Sequence, residues 1–311
     1  MRPVLVLSRP LPGLDPAELL SEFEVRTLPP GADREELLAG VAEAQVVILS
    51  YLDAVDEAFL SAARRLRHVA SYGVGVNHID LEACRRRGVI VTNTPGVLTD
   101  ATADHAMALL LAAGRRVAEG DRIVRAGGWT QVDPGFLLGA HVTGKVLGIV
   151  GFGRIGQALA RRAAGFQMRI LYSAPREVAF WGAQRVSLPE LLAGSDFVSL
   201  NVPLTPATEN LLSRERIALM RPGAILVNTA RGEVVDDDAL ADALRAGQVA
   251  AAGLDVFRGE PRVPARYLEL SNVVLTPHIG SGSAETRAAM SRLVADDVLR
   301  VVRGEAPRHP V

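Results

Sequence analysis

Val146-Leu147-Gly148-Ile149-Val150-Gly151-Phe152-Gly153-Arg154-Ile155-Gly156 is the stretch on which the fold turns. An apolar run suited to a buried strand stops at Gly151 and enters a G-x-G-x-x-G turn, and residues 157–164 continue with helical spacing. Alone, that glycine spacing is a weak signal. After a strand and ahead of a helix it reads as a dinucleotide-binding turn. Gly151 permits the tight turn, Gly153 lets backbone N–H groups approach a pyrophosphate, and Gly156 lets helix and strand pack closely. Arg154 and Ile155 lie at the helix start, whose unpaired N–H groups and roughly half a positive charge suit a diphosphate.

Working outward, short apolar runs alternate with helix-period segments from end to end, which argues for α/β architecture with parallel sheets. Strands are expected at Val4–Leu7, 46–50, His68–Ser71 and 89–92, with helices at 16–22, 34–42, 57–65 and 81–87 between them. Asn93-Thr94-Pro95-Gly96 breaks the pattern, and a long helix is expected from an N-cap at Asp100 to about Arg116. The apolar core of that helix, 109–113, reads as a buried interdomain or subunit helix. Six further strands follow, at 145–150, 168–172, 197–201, Ala224–Asn228, 251–255 and 273–276, enough for a doubly wound sheet. A last helix, 285–301, is expected to return to the first domain and make it discontinuous.

Bulk composition narrows the function classes. The 311 residues suffice for two domains, and 49% hydrophobic against 22% charged residues supplies a sizeable core. A formal net charge of −1 leaves no overall basic footprint, so no nucleic-acid partner is expected. Arginine supplies nearly all the basic residues, with Lys145 the lone lysine. Cys84 is the single cysteine, which excludes an intrachain disulfide framework and points to a reducing cytoplasm. Its place in a helical segment reads as packing. The run Val4–Leu7 is too short for a signal peptide or a membrane span, and no membrane partner is expected. No metal is expected either.

In open α/β sheets, ligands bind beyond the carboxyl ends of the strands, and the isolated polar residues fall at those ends. Arg231 follows the strand Ala224–Asn228. Asp255 ends the strand 251–255, with Glu260 five residues on, and His278 follows 273–276. Each alone has an ordinary structural reading: a loop histidine, a surface ion pair, a solvated turn. Delivered jointly to one edge of one sheet, beside the glycine turn, they suggest a chemistry. Hydride transfer to a carbonyl needs a proton donor for the developing alkoxide, and histidine suits that role near neutral pH. A carboxylate beside it stabilises the imidazolium and fixes its tautomer, as Glu260 could. An arginine such as Arg231 can hold a substrate carboxylate through two parallel N–H···O bonds and polarise the neighbouring carbonyl.

With these residues in view, the chain resembles the D-2-hydroxyacid dehydrogenase family. The resemblance rests on Gly151-Phe-Gly-Arg-Ile-Gly156, Asn228-Thr-Ala-Arg-Gly-Glu233, Gly253-Leu-Asp-Val-Phe257 with Glu260-Pro261, and Thr276-Pro-His-Ile-Gly280. It extends to Ser71-Tyr-Gly-Val-Gly-Val-Asn77, Asn93-Thr-Pro-Gly96, Ala101-Thr-Ala-Asp104 and Pro203-Leu-Thr-Pro206, and so spans nearly the whole chain. Within the family it is most similar to the glyoxylate/hydroxypyruvate reductase branch. The resemblance implies two Rossmann-like doubly wound parallel-sheet domains with an active-site cleft between them: a substrate domain, 1–97 plus 287–311, and a dinucleotide-binding domain, 98–286. It implies a catalytic Arg231, Glu260 and His278. Backbone N–H groups at Val74 and Gly75 would meet the substrate carboxylate, and Leu52 the rest of the substrate. Asp255 would hold the nicotinamide carboxamide, while Thr102, Pro203, Thr208, Thr229, Ala230 and Gly280 would line the cofactor. A homodimer through the dinucleotide domain is implied as well, with Phe136 by position the bulky partner residue that borders the site.

Whether the cofactor carries a 2′-phosphate is read from the end of the second strand. NAD-specific sites place an acid there; NADP sites lack it and keep arginine near. Here Tyr172 is followed by Ser173-Ala174-Pro175-Arg176, with no acid before Glu177. Ser173 and Arg176 could bond a 2′-phosphate, so NADP(H) is favoured, with NAD(H) as the alternative. The expected substrate is a small 2-keto acid, glyoxylate or hydroxypyruvate, reduced to a D-2-hydroxy acid. Two other readings stay open. One is a D-3-phosphoglycerate dehydrogenase-like enzyme, although the chain ends soon after the family pattern and the loops 51–55 and 71–78 offer few basic residues. The other is a nucleotide-sensing corepressor-like protein on the same fold.

Overall fold

A computed structural model describes residues 2–15, 17 and 19–311. In chain order the elements begin β1 (Val4–Leu7), β2 (Glu24–Thr27), α1 (Arg34–Gly40), β3 (Val46–Leu49), α2 (Glu57–Ala62), β4 (His68–Ser71), α3 (Leu81–Arg86) and β5 (Ile90–Thr92). Next come α4 (Thr99–Gly114), α5 (Val117–Arg125), β6 (Val146–Val150), α6 (Arg154–Ala164), β7 (Arg169–Ser173), β8 (Ala183–Arg185), α7 (Leu188–Gly194) and β9 (Phe197–Leu200). The chain continues with α8 (Arg214–Ala218), β10 (Ala224–Asn228), α9 (Asp237–Arg245), β11 (Val249–Leu254), α10 (Ala265–Leu268), β12 (Val273–Leu275) and α11 (Ala284–Val302). The chain divides into two compact units, Met1–Leu98 with Gly282–Val311, and Thr99–Ser281. The breaks thus fall at 98/99 and 281/282, against the 97/98 and 286/287 read from the sequence.

The first unit holds a five-stranded parallel sheet in the order β2-β1-β3-β4-β5. Its inner strands β3 and β4 are buried along their whole length. Apolar runs without alternation are what a parallel sheet covered on both faces requires. Short helices close on side-chain caps: Asp33, Asp56 and Asp80 each accept a backbone N–H of the first turn. Cys84 is packed in this core, and burial pushes its thiol up to about 11. Helix α11 packs on β4, where Tyr72 Oη donates to Arg287 O at 2.9 Å and Ser291 Oγ to Pro12 O at 2.7 Å.

The second unit holds a seven-stranded sheet, parallel throughout, in the order β12-β11-β10-β9-β6-β7-β8. The chain runs outward from β6 through β7 and β8, then returns to β9 on the other side of β6. The carboxyl ends of β6 and β9 are therefore the topological switch point, the usual ligand crevice of such sheets. Every residue of β6 is buried. Helix α4 covers one face, packed on α6, β10 and β11, and buries Ala106, Leu109, Leu110 and Ala113.

Several expectations need correction. Pro16 and Glu18, in the helix expected at 16–22, lie outside the described residues; residues 19–22 form turns rather than a helix. Helix α4 starts at Thr99, so Asp100 sits inside its first turn and pairs with Arg162 instead of capping. It ends at Gly114, where Arg116 adopts a left-handed φ of 53° and redirects the chain into α5. Two edge strands escaped the sequence reading. In β2 no residue is fully buried, and β8 has three residues with none fully buried, so neither carries an apolar run. Among the described residues no helix is long and apolar enough to cross a membrane.

Candidate active site

The glycine turn closes at the switch point, where Gly151 N donates to Ser173 O at 2.9 Å. Its three glycines answer different demands. A Cβ on Gly151 would stand 2.5 Å from Asn201 O, at a φ of +89° that side chains avoid. A Cβ on Gly156 would stand 2.4 Å from Gly151 O and 3.1 Å from Ile149 Cγ2. Both are therefore excluded by the protein's own packing. Gly153 is different: nothing lies within 4 Å of the position its Cβ would take, and the residue is exposed. Open space over a glycine that caps α6 is the arrangement a diphosphate needs. Thr229 Oγ1, buried just beyond β10, has no hydrogen-bond partner, as a polar group awaiting a ligand would.

The loop after β10 is shaped by Asn228, whose Oδ1 accepts from Ala230 N at 3.0 Å and whose Nδ2 donates to Arg231 O at 2.9 Å. That side chain turns the backbone so that Arg231 stands extended, half-buried, ahead of a short 3-10 turn, Gly232–Val234. Arg231 Nη1 donates to Ala230 O at 2.6 Å. At Gly232 a Cβ would fall 2.1 Å from Phe257 C and 2.2 Å from Arg258 N. The Arg231 loop is thus pressed directly on the loop that leads to Glu260.

Glu260 bridges two elements. Its Oε1 accepts from Phe257 N at 2.9 Å, and its Oε2 stands 2.7 Å from His278 Nδ1. Both side chains are mostly buried, 14% and 19% exposed, so this pair is poorly screened by water. A carboxylate only accepts, so Nδ1 carries the proton and donates. The other ring nitrogen, Nε2, is then the atom that can hand a proton to a substrate. His278 sits at a left-handed φ of 52°, and its N–H donates to Asp255 O at 2.8 Å.

Asp255 is the hub of that turn. Oδ1 accepts from Thr276 Oγ1 at 2.7 Å and Ile279 N at 2.8 Å, and Oδ2 from Gly280 N at 2.8 Å. Burial pushes this carboxyl up, but hydrogen bonds from His105, Thr276 and Ile279 outweigh it and hold Asp255 below the usual carboxylate range.

The family model of the D-isomer specific 2-hydroxyacid dehydrogenase NAD binding domain matches residues 107–280, which carry the glycine turn, Arg231, Asp255, Glu260 and His278. The chain belongs to that family. It is similar to the glyoxylate reductase of Pyrococcus furiosus, 48% identical over 324 residues that cover 99% of this chain and 94% of that protein. Among solved structures it is similar to the TT0316 protein of Thermus thermophilus, with a TM-score of 0.94, 46% identity and full coverage of both chains. It is also similar to the NADPH-dependent glyoxylate/hydroxypyruvate reductase of Sinorhizobium meliloti in complex with NADP and malonate. There the TM-score is 0.88 and the identity 31%, covering 100% of this chain and 97% of that one.

Thr102 of α4, expected to line the dehydrogenase's cofactor, is buried beside Gly280, where a Cβ would lie 3.6 Å from Thr102 Cγ2. Ala230 is buried next to Arg231. Thr208 Oγ1 donates to Pro203 O at 2.6 Å and accepts from Thr205 N at 2.8 Å, so its hydroxyl folds the loop after β9. Ser173 ends β7, and Arg176 is exposed three residues on. In the first unit, Leu52 and Val74 are 44% and 38% exposed, and Asn93 Nδ2 ties down Val74 O at 2.8 Å.

Two neighbours of the site in this dehydrogenase went unread in the sequence. Arg185 of β8 bonds Ala174 O at 3.1 Å and Pro175 O at 2.9 Å, which puts a second guanidinium at the Ser173–Arg176 corner. Its signal was weak because the strand that carries it has no apolar pattern. His105 of α4 stands 3.0 Å from Thr276 Oγ1 and 3.2 Å from Asp255 Oδ1. A spacing of 171 residues between His105 and Thr276 leaves no local trace of that contact.

Proposed function

We propose that this dehydrogenase reduces small 2-keto acids, glyoxylate and hydroxypyruvate foremost, to D-2-hydroxy acids, and that NADPH is its preferred cofactor. The observation that carries the reading is the His278–Glu260 pair, 2.7 Å apart on the carboxyl edge of the sheet that bears the glycine turn. A bound nicotinamide cofactor supplies the hydride that the substrate carbonyl carbon accepts. The residues do the rest. Arg231 binds the carboxylate and polarises the adjacent carbonyl. His278 donates the Nε2 proton to the carbonyl oxygen as negative charge develops there, and Glu260 stabilises the imidazolium beforehand. The products are the 2-hydroxy acid, the oxidised cofactor and a neutral His278 that regains its proton from water. The names of the Pyrococcus and Sinorhizobium relatives support the choice of keto acid. Arg231→Gln is expected to lower kcat/KM for the keto acid by roughly 10²-fold or more, with cofactor affinity retained. An unchanged kcat/KM would remove Arg231 from the reaction.

The preference for NADPH rests on Ser173, Arg176 and Arg185, with no acid where an NAD site keeps one. Arg176→Ala is expected to raise the KM for NADPH about tenfold and leave NADH nearly unchanged, the loss of one charge-assisted contact. Equal effects on both cofactors would end the preference.

A homodimer through the dinucleotide domain is part of the reading. Exposed apolar side chains crowd α5 and the segment after it, with Val117, Val124, Trp129, Val132, Phe136 and Leu138 between 44% and 86% exposed. Apolar surface of that density marks an interaction site. Sedimentation equilibrium at twice the chain mass of 33.1 kDa is expected, and a monomer at all concentrations would contradict it. A cytoplasmic location completes the reading.

A further inference from the structure

The turn Thr276–Gly280 presents the proton donor, yet it belongs to no helix or strand. What holds it is Asp255, which takes a hydroxyl and two backbone N–H groups from the turn on its carboxylate and the His278 N–H on its carbonyl. Space around this hub is exhausted. A Cβ on Gly280 would stand 3.0 Å from Asp255 Oδ2. Asp255 itself is 1% exposed, so its oxygens are shielded from bulk solvent.

The contact that remains comes from α4. His105 Nε2 lies 3.0 Å from Thr276 Oγ1 and 3.2 Å from Asp255 Oδ1. Thr276 has one hydroxyl proton, and at 2.7 Å it is given to Asp255 Oδ1. Both atoms that face His105 are thus acceptors, which fixes the imidazole proton on Nε2. His105 is 17% exposed on its side chain, and α4 beneath it is anchored in the sheet through Ala106, Leu109 and Leu110. The histidine therefore joins a rigid helix to the irregular turn that carries His278.

We infer that His105 is a positioning residue for the reaction. Through Thr276 and Asp255 it sets the left-handed turn that aims His278, and so keeps His278 Nδ1 on Glu260 and Nε2 toward the keto acid. This rests on the function proposed above. A plain structural tether would cost stability when lost and leave the His278–Glu260 geometry alone. A positioning role costs turnover, because misplacement of a catalytic group by about 1 Å lowers rates by roughly 10²-fold.

The test compares wild type, His105→Leu and His105→Gln, since a glutamine amide can place an N–H donor near the Nε2 position. The first readout is the low-field proton resonance of His278 Nδ1–H against Glu260, assigned by its loss in Glu260→Gln; it needs no turnover. The second is the steady-state kcat and KM. His105→Leu is expected to displace or broaden that resonance and to lower kcat by about ten- to hundredfold, with the keto-acid KM changed less than about threefold. His105→Gln is expected to restore both. A wild-type resonance and kcat in His105→Leu would overturn the proposal, and so would a loss that His105→Gln fails to recover. If His105→Leu does not fold, Thr276→Val removes the linking hydroxyl and must show the same two effects; wild-type behaviour there also overturns it. Absence of any keto-acid turnover in wild type would sink the functional reading instead, and the resonance would still decide the role of His105.

Discussion

Two of the histidine–carboxylate pairs among the described residues, both made through Nδ1, have nearly the same local geometry, and only one of them stands at the proposed active site. His278 Nδ1 meets Glu260 Oε2 at 2.7 Å, and His309 Nδ1 meets Asp297 Oδ2 at 2.9 Å. Their surroundings differ. Asp297 is 1% exposed and also accepts Arg308 N at 2.6 Å, while His309 O accepts from Asn93 N at 3.2 Å. Pro310 and Val311 then pair with β5, so this imidazole fastens the chain's last residues to the first unit's sheet. His278 instead follows a strand end, in a left-handed turn on the edge that also bears Arg231 and the glycine turn. A histidine on a carboxylate is thus not a catalytic signature. What supports a catalytic role for His278 under the proposed function is its place at the carboxyl edge of a doubly wound sheet, beside an arginine and the glycine turn.

The largest expected effect separates the two pairs. His278→Asn keeps a donor for Glu260 but removes Nε2, and Glu260→Gln keeps the shape but removes the charge. Each is expected to lower kcat/KM by roughly 10²–10⁴-fold with little change in Tm. Full activity in His278→Asn would make the two pairs equivalent and refute the distinction.

A second effect sharpens it on the structural side. His68, buried and bonded through Nε2 to Thr92 Oγ1 at 2.9 Å, is pushed down to about 4 by burial, against a smaller upward pull from Asp297. Unfolded, this histidine takes its proton near 6.5; folded, only near 4. Between those values the unfolded state binds more protons, so stability falls as pH drops through the window. The full contribution is on the order of 3 kcal/mol. His68→Gln is expected to flatten the decline of Tm between those two pH values; an unchanged slope would assign the acid lability elsewhere.

The smallest effect returns to the second pair. His309→Leu leaves the buried Asp297 short of a donor and is expected to cost about 1–3 kcal/mol of stability. Its kcat/KM is expected within about twofold of wild type, since a structural pair carries no transition-state interaction. Lost turnover without lost stability would give His309 a role in the reaction.

Much of this was legible in the sequence because the deciding features are local. The β6–turn–α6 unit, the parallel alternation and the strand-end residues Arg231, Asp255, Glu260 and His278 each follow from a short stretch. What was not legible is either polar or remote. Strands β2 and β8 pair at sheet edges, where little is buried and no apolar run is needed. Asp100 looked like a cap because its type suits one, but its carboxylate is taken by Arg162 from α6. Arg185 reaches residues only 10 and 11 positions back but sits on a strand without an apolar run, whereas His105 meets Thr276 across 171 residues, a contact that only folding creates.

The most direct measurement is the initial rate of absorbance loss at 340 nm for wild type and His278→Asn, with glyoxylate and with hydroxypyruvate, each with NADPH and NADH. Rapid oxidation by wild type, faster with NADPH and almost abolished in His278→Asn, is the predicted result. Wild-type rates that survive in His278→Asn, or no turnover of either keto acid with either cofactor, would contradict it.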